Sequence, residues 1–167
     1  MTGNELRREL KRIGDRNRRF NEMSPERKRV AIARDTIESL RLKKVVAKRG
    51  VYLDWTSMEN GDKLPKNYKC QACALGSMFV GLTTRVKDVS VKDANGGIRA
   101  DITDGLSNYF DNEQLDLIED AFETGYGCVA DDDCSTQQKF GAQFKTEDER
   151  LVAIMQNIIN NNGEFKP

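Results

Sequence analysis

Apolar positions recur at helical spacing over most of this chain, and the first stretch already shows the pattern. In residues 4–22, Leu6, Leu10, Ile13 and Phe20 fall on one stripe at spacings of 4, 3 and 7. That is the signature of an amphipathic helix with a narrow apolar seam. Arg7, Arg8, Lys11, Arg12, Arg16, Arg18 and Arg19 dominate the rest of its surface. Gly14 weakens such a helix by up to about 1 kcal/mol relative to Ala, so the segment is expected to order only against something else.

A break follows. Ser24-Pro25-Glu26 reads as N-cap, first-turn proline and first-turn acid, which satisfy free amides and complement the helix dipole. The second helix is predicted to run to about Lys48, with Val30, Ala33, Ile37, Leu40 and Val45 inward and Gly50 as its stop. Val51-Tyr52-Leu53 is a short extended piece, and residues 54–67 form a polar loop carrying Trp55, a lid over the core or a binding anchor. Residues 68–82 read as a buried helix with Ala72, Leu75, Phe79 and Leu82 on one face. VSVK at 89–92 and GIRADI at 97–102 flank a turn and predict a β-hairpin.

Two later helices carry capping signatures: Asp111-x-x-Gln114 ahead of Leu115, Ile118 and Phe122, and Thr146-x-x-Glu149 ahead of Leu151, Ile154, Met155 and Ile158. Asn160-Asn161-Asn162-Gly163 should end the last one in a left-handed stop, after which Phe165 folds back on the core. Between these helices a long irregular loop is expected, the kind of segment where function concentrates. The fold class is therefore mainly α with a minor β part: four to five helices, centred on 28–48, 69–82, 111–123 and 147–160, with one hairpin near 89–102. At 167 residues and 38% hydrophobic, residues 24–167 suit a single globular domain behind an N-terminal arm of residues 1–23.

Charge sharpens this division. The formal net charge is zero, yet residues 1–50 hold 16 Lys and Arg against 7 Asp and Glu, a net +9, and residues 51–167 carry 11 against 20, a net −9. Such asymmetry points to an electrostatic partner, or to one half docking on the other. The arm has three readings: a solvated helix on its own domain, a grip on nucleic acid or an acidic protein surface, and a membrane-surface helix. Scarce bulky aromatic anchors argue against the last. No run reaches the roughly 18 apolar residues that cross a bilayer, and the charged N-terminus lacks the apolar core of a secretory signal, so a cytoplasmic location is expected.

Candidate chemistry is sparse. The chain has no histidine, which removes Ser–His–Asp and Cys–His nucleophile pairs and the usual imidazole proton shuttle. Phosphate-loop and dinucleotide fingerprints are absent. Cys70-x-x-Cys73 has the spacing of a zinc knuckle, and Cys128 and Cys134 could complete a tetrahedral thiolate set. The five residues inside the second pair and the 54 between the pairs depart from that pattern. The alternative is four free thiols, two facing the core. Asp93-Ala94-Asn95-Gly96-Gly97 lacks the glycine and closing glutamate of a calcium loop. Asp131, Asp132 and Asp133 form an acidic loop, solvated or able to hold a divalent ion; a carboxylate- or metal-dependent enzyme would centre there. No catalytic residue is assigned.

Three stretches carry a resemblance. Cys73-Ala74-Leu75-Gly76, the segment Gln114-Leu115-x-Leu117-Ile118-Glu119-x-Ala121-Phe122-Glu123, and the run from Arg150-Leu151 to Asn161-Asn162-Gly163-x-Phe165-x-Pro167 resemble a group of small uncharacterised bacteriophage and bacterial proteins. The likeness covers residues 28–167, with the basic arm as an extension. It implies a mainly helical domain and a phage accessory role, and it carries over no functional residue. The resulting expectation is a non-enzymatic binding or modulator protein, acting on a host protein or nucleoprotein. Leu6, Leu10, Ile13 and Phe20 would be its anchors, and Arg7, Arg8, Lys11, Arg12, Arg16, Arg18 and Arg19 would steer it. The alternative is a zinc-stabilised nucleic-acid-binding protein. A homo-oligomer stands among the readings, because the opposite charges could meet between two copies.

Overall fold

Sequence cues place the helices, and packing around one of them organises the rest. The computed structural model describes residues 3–54, 70–86, 99–123 and 133–167. Within these, seven helices and one two-stranded sheet follow in the order α1 (Gly3–Asn21), α2 (Pro25–Arg41), β1 (Val45–Ala47), β2 (Cys70–Ala72), α3 (Ala74–Thr83), α4 (Arg99–Leu106), α5 (Asn112–Glu123), α6 (Thr136–Ala142) and α7 (Glu147–Asn160). The fold is mainly helical with a small β part.

α3 is the hub. Every residue from Ala74 to Leu82 is buried, as expected of a helix apolar on all sides, and it packs against α2, α4, α5 and the sheet. α7 lies on α2 and α5, and α5 on α6. Phe20, Ile32, Leu75, Met78, Leu106, Phe110, Phe122, Ile154 and Phe165 sit in one continuous core. Gly76 allows the closest approach: a Cβ there would stand 1.5 Å from the Tyr52 carbonyl oxygen, so no side chain fits.

Several boundaries differ from the expectations. α2 ends at Arg41 rather than Lys48, because Lys43 takes a left-handed φ of 55° and the β-branched pair after it enters β1. β1 pairs in parallel with β2, Val45 opposite Cys70 and Ala47 opposite Ala72. The helix expected over 68–82 therefore starts only at Ala74, with Cys73 as its N-cap. Arg99 to Ile102, expected as hairpin strand, form the first half of α4; the rest of that hairpin, 89–98, lies outside the described residues. The loop expected between α5 and α7 contains α6, opened by a Ser135 and Gln138 capping box.

Other cues act as read. The Ser24 hydroxyl accepts the Arg27 amide, and Thr146 and Glu149 form a capping box. Asn162 and Gly163 take φ values of 54° and 94° at the end of α7, and Phe165 is buried. Asp111 accepts the Gln114 amide at 2.8 Å. The Gln114 side chain, however, turns to the tail, accepting from Phe165 N at 2.6 Å and donating to its carbonyl.

Candidate functional site: a basic arm and its arginine-lined root

Among the described residues, α1 meets the body at its C-terminal end. From residue 4 to residue 14 every position except Glu9 is exposed. Leu6, Leu10 and Ile13 keep 44%, 60% and 39% of their surface in water, and nothing lies within 4 Å of a Cβ built on Gly14. Among the described residues nothing buries this stripe. Phe20, on the same stripe, is the exception. It is fully buried and tilts against Tyr109 with ring centroids 5.7 Å apart, so it anchors the arm and offers nothing to a partner. Deleting residues 1–23 would thus remove core, whereas a cut near Gly14 would spare it.

The second anchor is ionic. Arg16 reaches both oxygens of Asp35 at 3.0 Å. Asp35 also accepts Arg85 Nη2 at 2.9 Å, Arg85 Nε, and the Thr84 hydroxyl at 2.9 Å. A carboxylate on the inward face of α2 thereby ties α1 to the end of α3. Of the other cations expected to steer a partner, Arg12 pairs with Glu9 and Arg18 with Asp15 along the helix itself. Exposed pairs one turn apart contribute only a few tenths of a kcal/mol. Arg7, Arg8, Lys11 and Arg19 make no ion pair among the described residues.

The acidic face of α5 is engaged elsewhere. Arg99 binds Glu119 at 2.7 Å and also Asp116, Tyr52 donates to Glu119, and Glu123 accepts the Gly50 amide at 2.8 Å. Burial raises the Glu123 carboxyl against the opposing Gly50 contact. Asp120 accepts Gln137 at 2.9 Å. The arm does not lie on this face.

Cys70 and Cys73 are buried free thiols, both pushed up to about 12 by burial, in Cys73 against the pull of the Gly76 and Leu75 amides. Cys134 is disulfide-bonded, and a disulfide sulfur is no thiolate ligand, so the four-cysteine zinc set loses a member. Cys128, Trp55, Asp131 and Asp132 lie outside the described residues; Asp133 is exposed. Among the described residues no group of three or more Cys, Asp or Glu is placed to hold a metal ion, and no helix is long and apolar enough to cross a membrane.

The two free thiols yield a test. Iodoacetamide at pH about 8 attacks the thiolate only, so both should stay unlabelled in the native chain and label fully in urea. Rapid native labelling, read by peptide mass spectrometry, would contradict the burial described. Because the folded thiols titrate above the ordinary 9.0, their contribution to stability is complete below pH 9 and lost as pH rises toward about 12.

Sequence reading missed Asp35 and the cavities beside it. One, of about 360 Å³, is lined by Arg12, Asp15, Arg16, Arg19, Met23 and Arg85. The next, of about 400 Å³, shares Met23 and Arg85 and adds Arg27 and Arg34. The chain matches no family model, no curated protein and no solved structure.

Proposed function

We propose that the chain is a non-enzymatic binding protein, a phage accessory modulator that grips a host protein or nucleoprotein through α1. One observation carries this reading: Leu6, Leu10 and Ile13 form an apolar stripe that the body leaves uncovered, on a helix anchored from Arg16 onward. Arginines flank the stripe, so the partner surface is acidic with an apolar strip. Charge speeds the encounter, and the apolar contact holds it. The alternative reading is a zinc-stabilised nucleic-acid-binding protein, to which Cys134 in a disulfide would bring no thiolate.

The stripe is tested by Leu6→Ser, Leu10→Ser and Ile13→Ser together. These side chains are exposed, so the thermal midpoint should stay near that of the parent. Losing their burial against a partner should cost about 2 kcal/mol or more, roughly a thirtyfold fall in affinity. Quantitative mass spectrometry of proteins co-purifying with each tagged full-length form reads the outcome. Equal recovery by both forms would remove the reading.

A further inference from the structure

The two cavities at the root of the arm make one groove, since Met23 and Arg85 line both. Six arginines face it (Arg12, Arg16, Arg19, Arg27, Arg34 and Arg85) against two carboxylates, Asp15 and Glu26. Those two carboxylates already pair with arginines that do not line the groove, Asp15 with Arg18 at 3.1 Å and Glu26 with Arg29 at 4.0 Å. Beneath the groove a single Asp35 holds both Arg16 and Arg85. One carboxylate between two guanidiniums fixes their orientation and leaves one positive charge unmatched. Arg19, Arg27 and Arg34 make no ion pair among the described residues.

So dense a row of cations calls for a ligand with a matching row of anions. The lining cations are all Arg, whose planar fork fits phosphate oxygens two at a time, and none is Lys. A nucleic-acid backbone supplies one such charge per nucleotide. The site is concave, which suits a single strand better than a convex duplex. Its floor of Met23, Val30, Ala31 and Ile159 gives sugars and unstacked bases an apolar rest. Without an aromatic platform the grip would be on phosphates and indifferent to sequence.

We propose that this groove binds the phosphodiester backbone of single-stranded nucleic acid. The proposal deepens the reading of α1, choosing nucleoprotein over protein alone: the strand lies in the groove, and its protein component covers the apolar stripe. The test is fluorescence anisotropy of a labelled oligouridylate of about 20 nucleotides with the full chain, titrated with salt. Binding should weaken steeply as salt rises. Arg19→Gln, Arg27→Gln and Arg34→Gln together touch only exposed positions. They should lower the log–log salt slope by about 2, at roughly 0.7 per phosphate contact on a single strand. The Leu6, Leu10 and Ile13 serine variant should bind the oligonucleotide like the parent, which separates failure of the groove from failure of the stripe. The proposal is overturned if the parent does not bind, if the glutamine variant keeps the parent's slope, or if poly-glutamate competes as well as RNA.

Discussion

Replacing Asp35 by Asn is expected to cost about 3 kcal/mol and to lower the thermal midpoint by about 6–12 °C. Asn keeps the shape of Asp and removes its charge. Asp35 is 7% exposed and is the only carboxylate that pairs with Arg16 or Arg85 among the described residues. The Arg85 side chain, 17% exposed, would be left half-desolvated without a counter-ion, which is costlier than never having formed the pair. Arg16 is 43% exposed, so Arg16→Gln should cost only about 1 kcal/mol. The contrast is diagnostic, because both variants break the same pair. Urea unfolding of the two side by side decides it: equal, small effects would mean that Asp35 does not hold the root of the arm.

Arg150→Met should be more damaging still, at about 4 kcal/mol. Arg150 is 4% exposed and donates to the carbonyls of Gly141 at 2.8 Å, Phe122 at 2.9 Å and Phe144 at 3.2 Å. Phe122 and Gly141 lie in the last turns of α5 and α6, where carbonyls lack partners within the helix. A single guanidinium thus joins two helix ends and a turn to α7. Met fills the space but removes the charged donor from three carbonyls, of which Gly141 keeps the Phe144 amide at 3.3 Å, each charged hydrogen bond being worth about 1.5–3 kcal/mol and less than additive. Arg150→Lys should recover little of this, since a point donor cannot span three carbonyls. A loss below about 1 kcal/mol for Met would contradict the account.

What could be read in advance was whatever acts locally. Ser24-Pro25-Glu26, Thr146-x-x-Glu149 and Asn162-Gly163 work through backbone groups a few residues away, so their outcome is written beside them. Ser135-x-x-Gln138 carries the same kind of signal, passed over because the helix it opens has only seven residues. The sheet was hidden for a different reason. Apart from Gln71, residues 70–82 are all small or apolar, a run in which neither period shows, and β2 forms only because β1 lies alongside. Gln114 had the sequence of a capping partner, and the Phe165 backbone, 51 residues away, takes its side chain instead.

The site divides in the same way. The stripe of Leu6, Leu10 and Ile13 follows from spacing alone. That Phe20 turns inward does not, since one period serves both an outward face and an anchor. Asp35 left a faint trace, a charge beside Thr36 among the inward positions of α2. The groove left none, because Arg85 reaches Arg16 and Arg34 only through the packing of α3 on α2.

Hydrogen exchange of the full chain, followed peptide by peptide with and without the oligouridylate, tests the central claim most directly. Free, residues 4–14 should exchange within seconds while residues 28–40 of α2 stay protected, and the ligand should slow exchange in the arm and at its root. An arm as protected as α2 before any ligand is added would mean that its outer face is already covered, and would contradict the account.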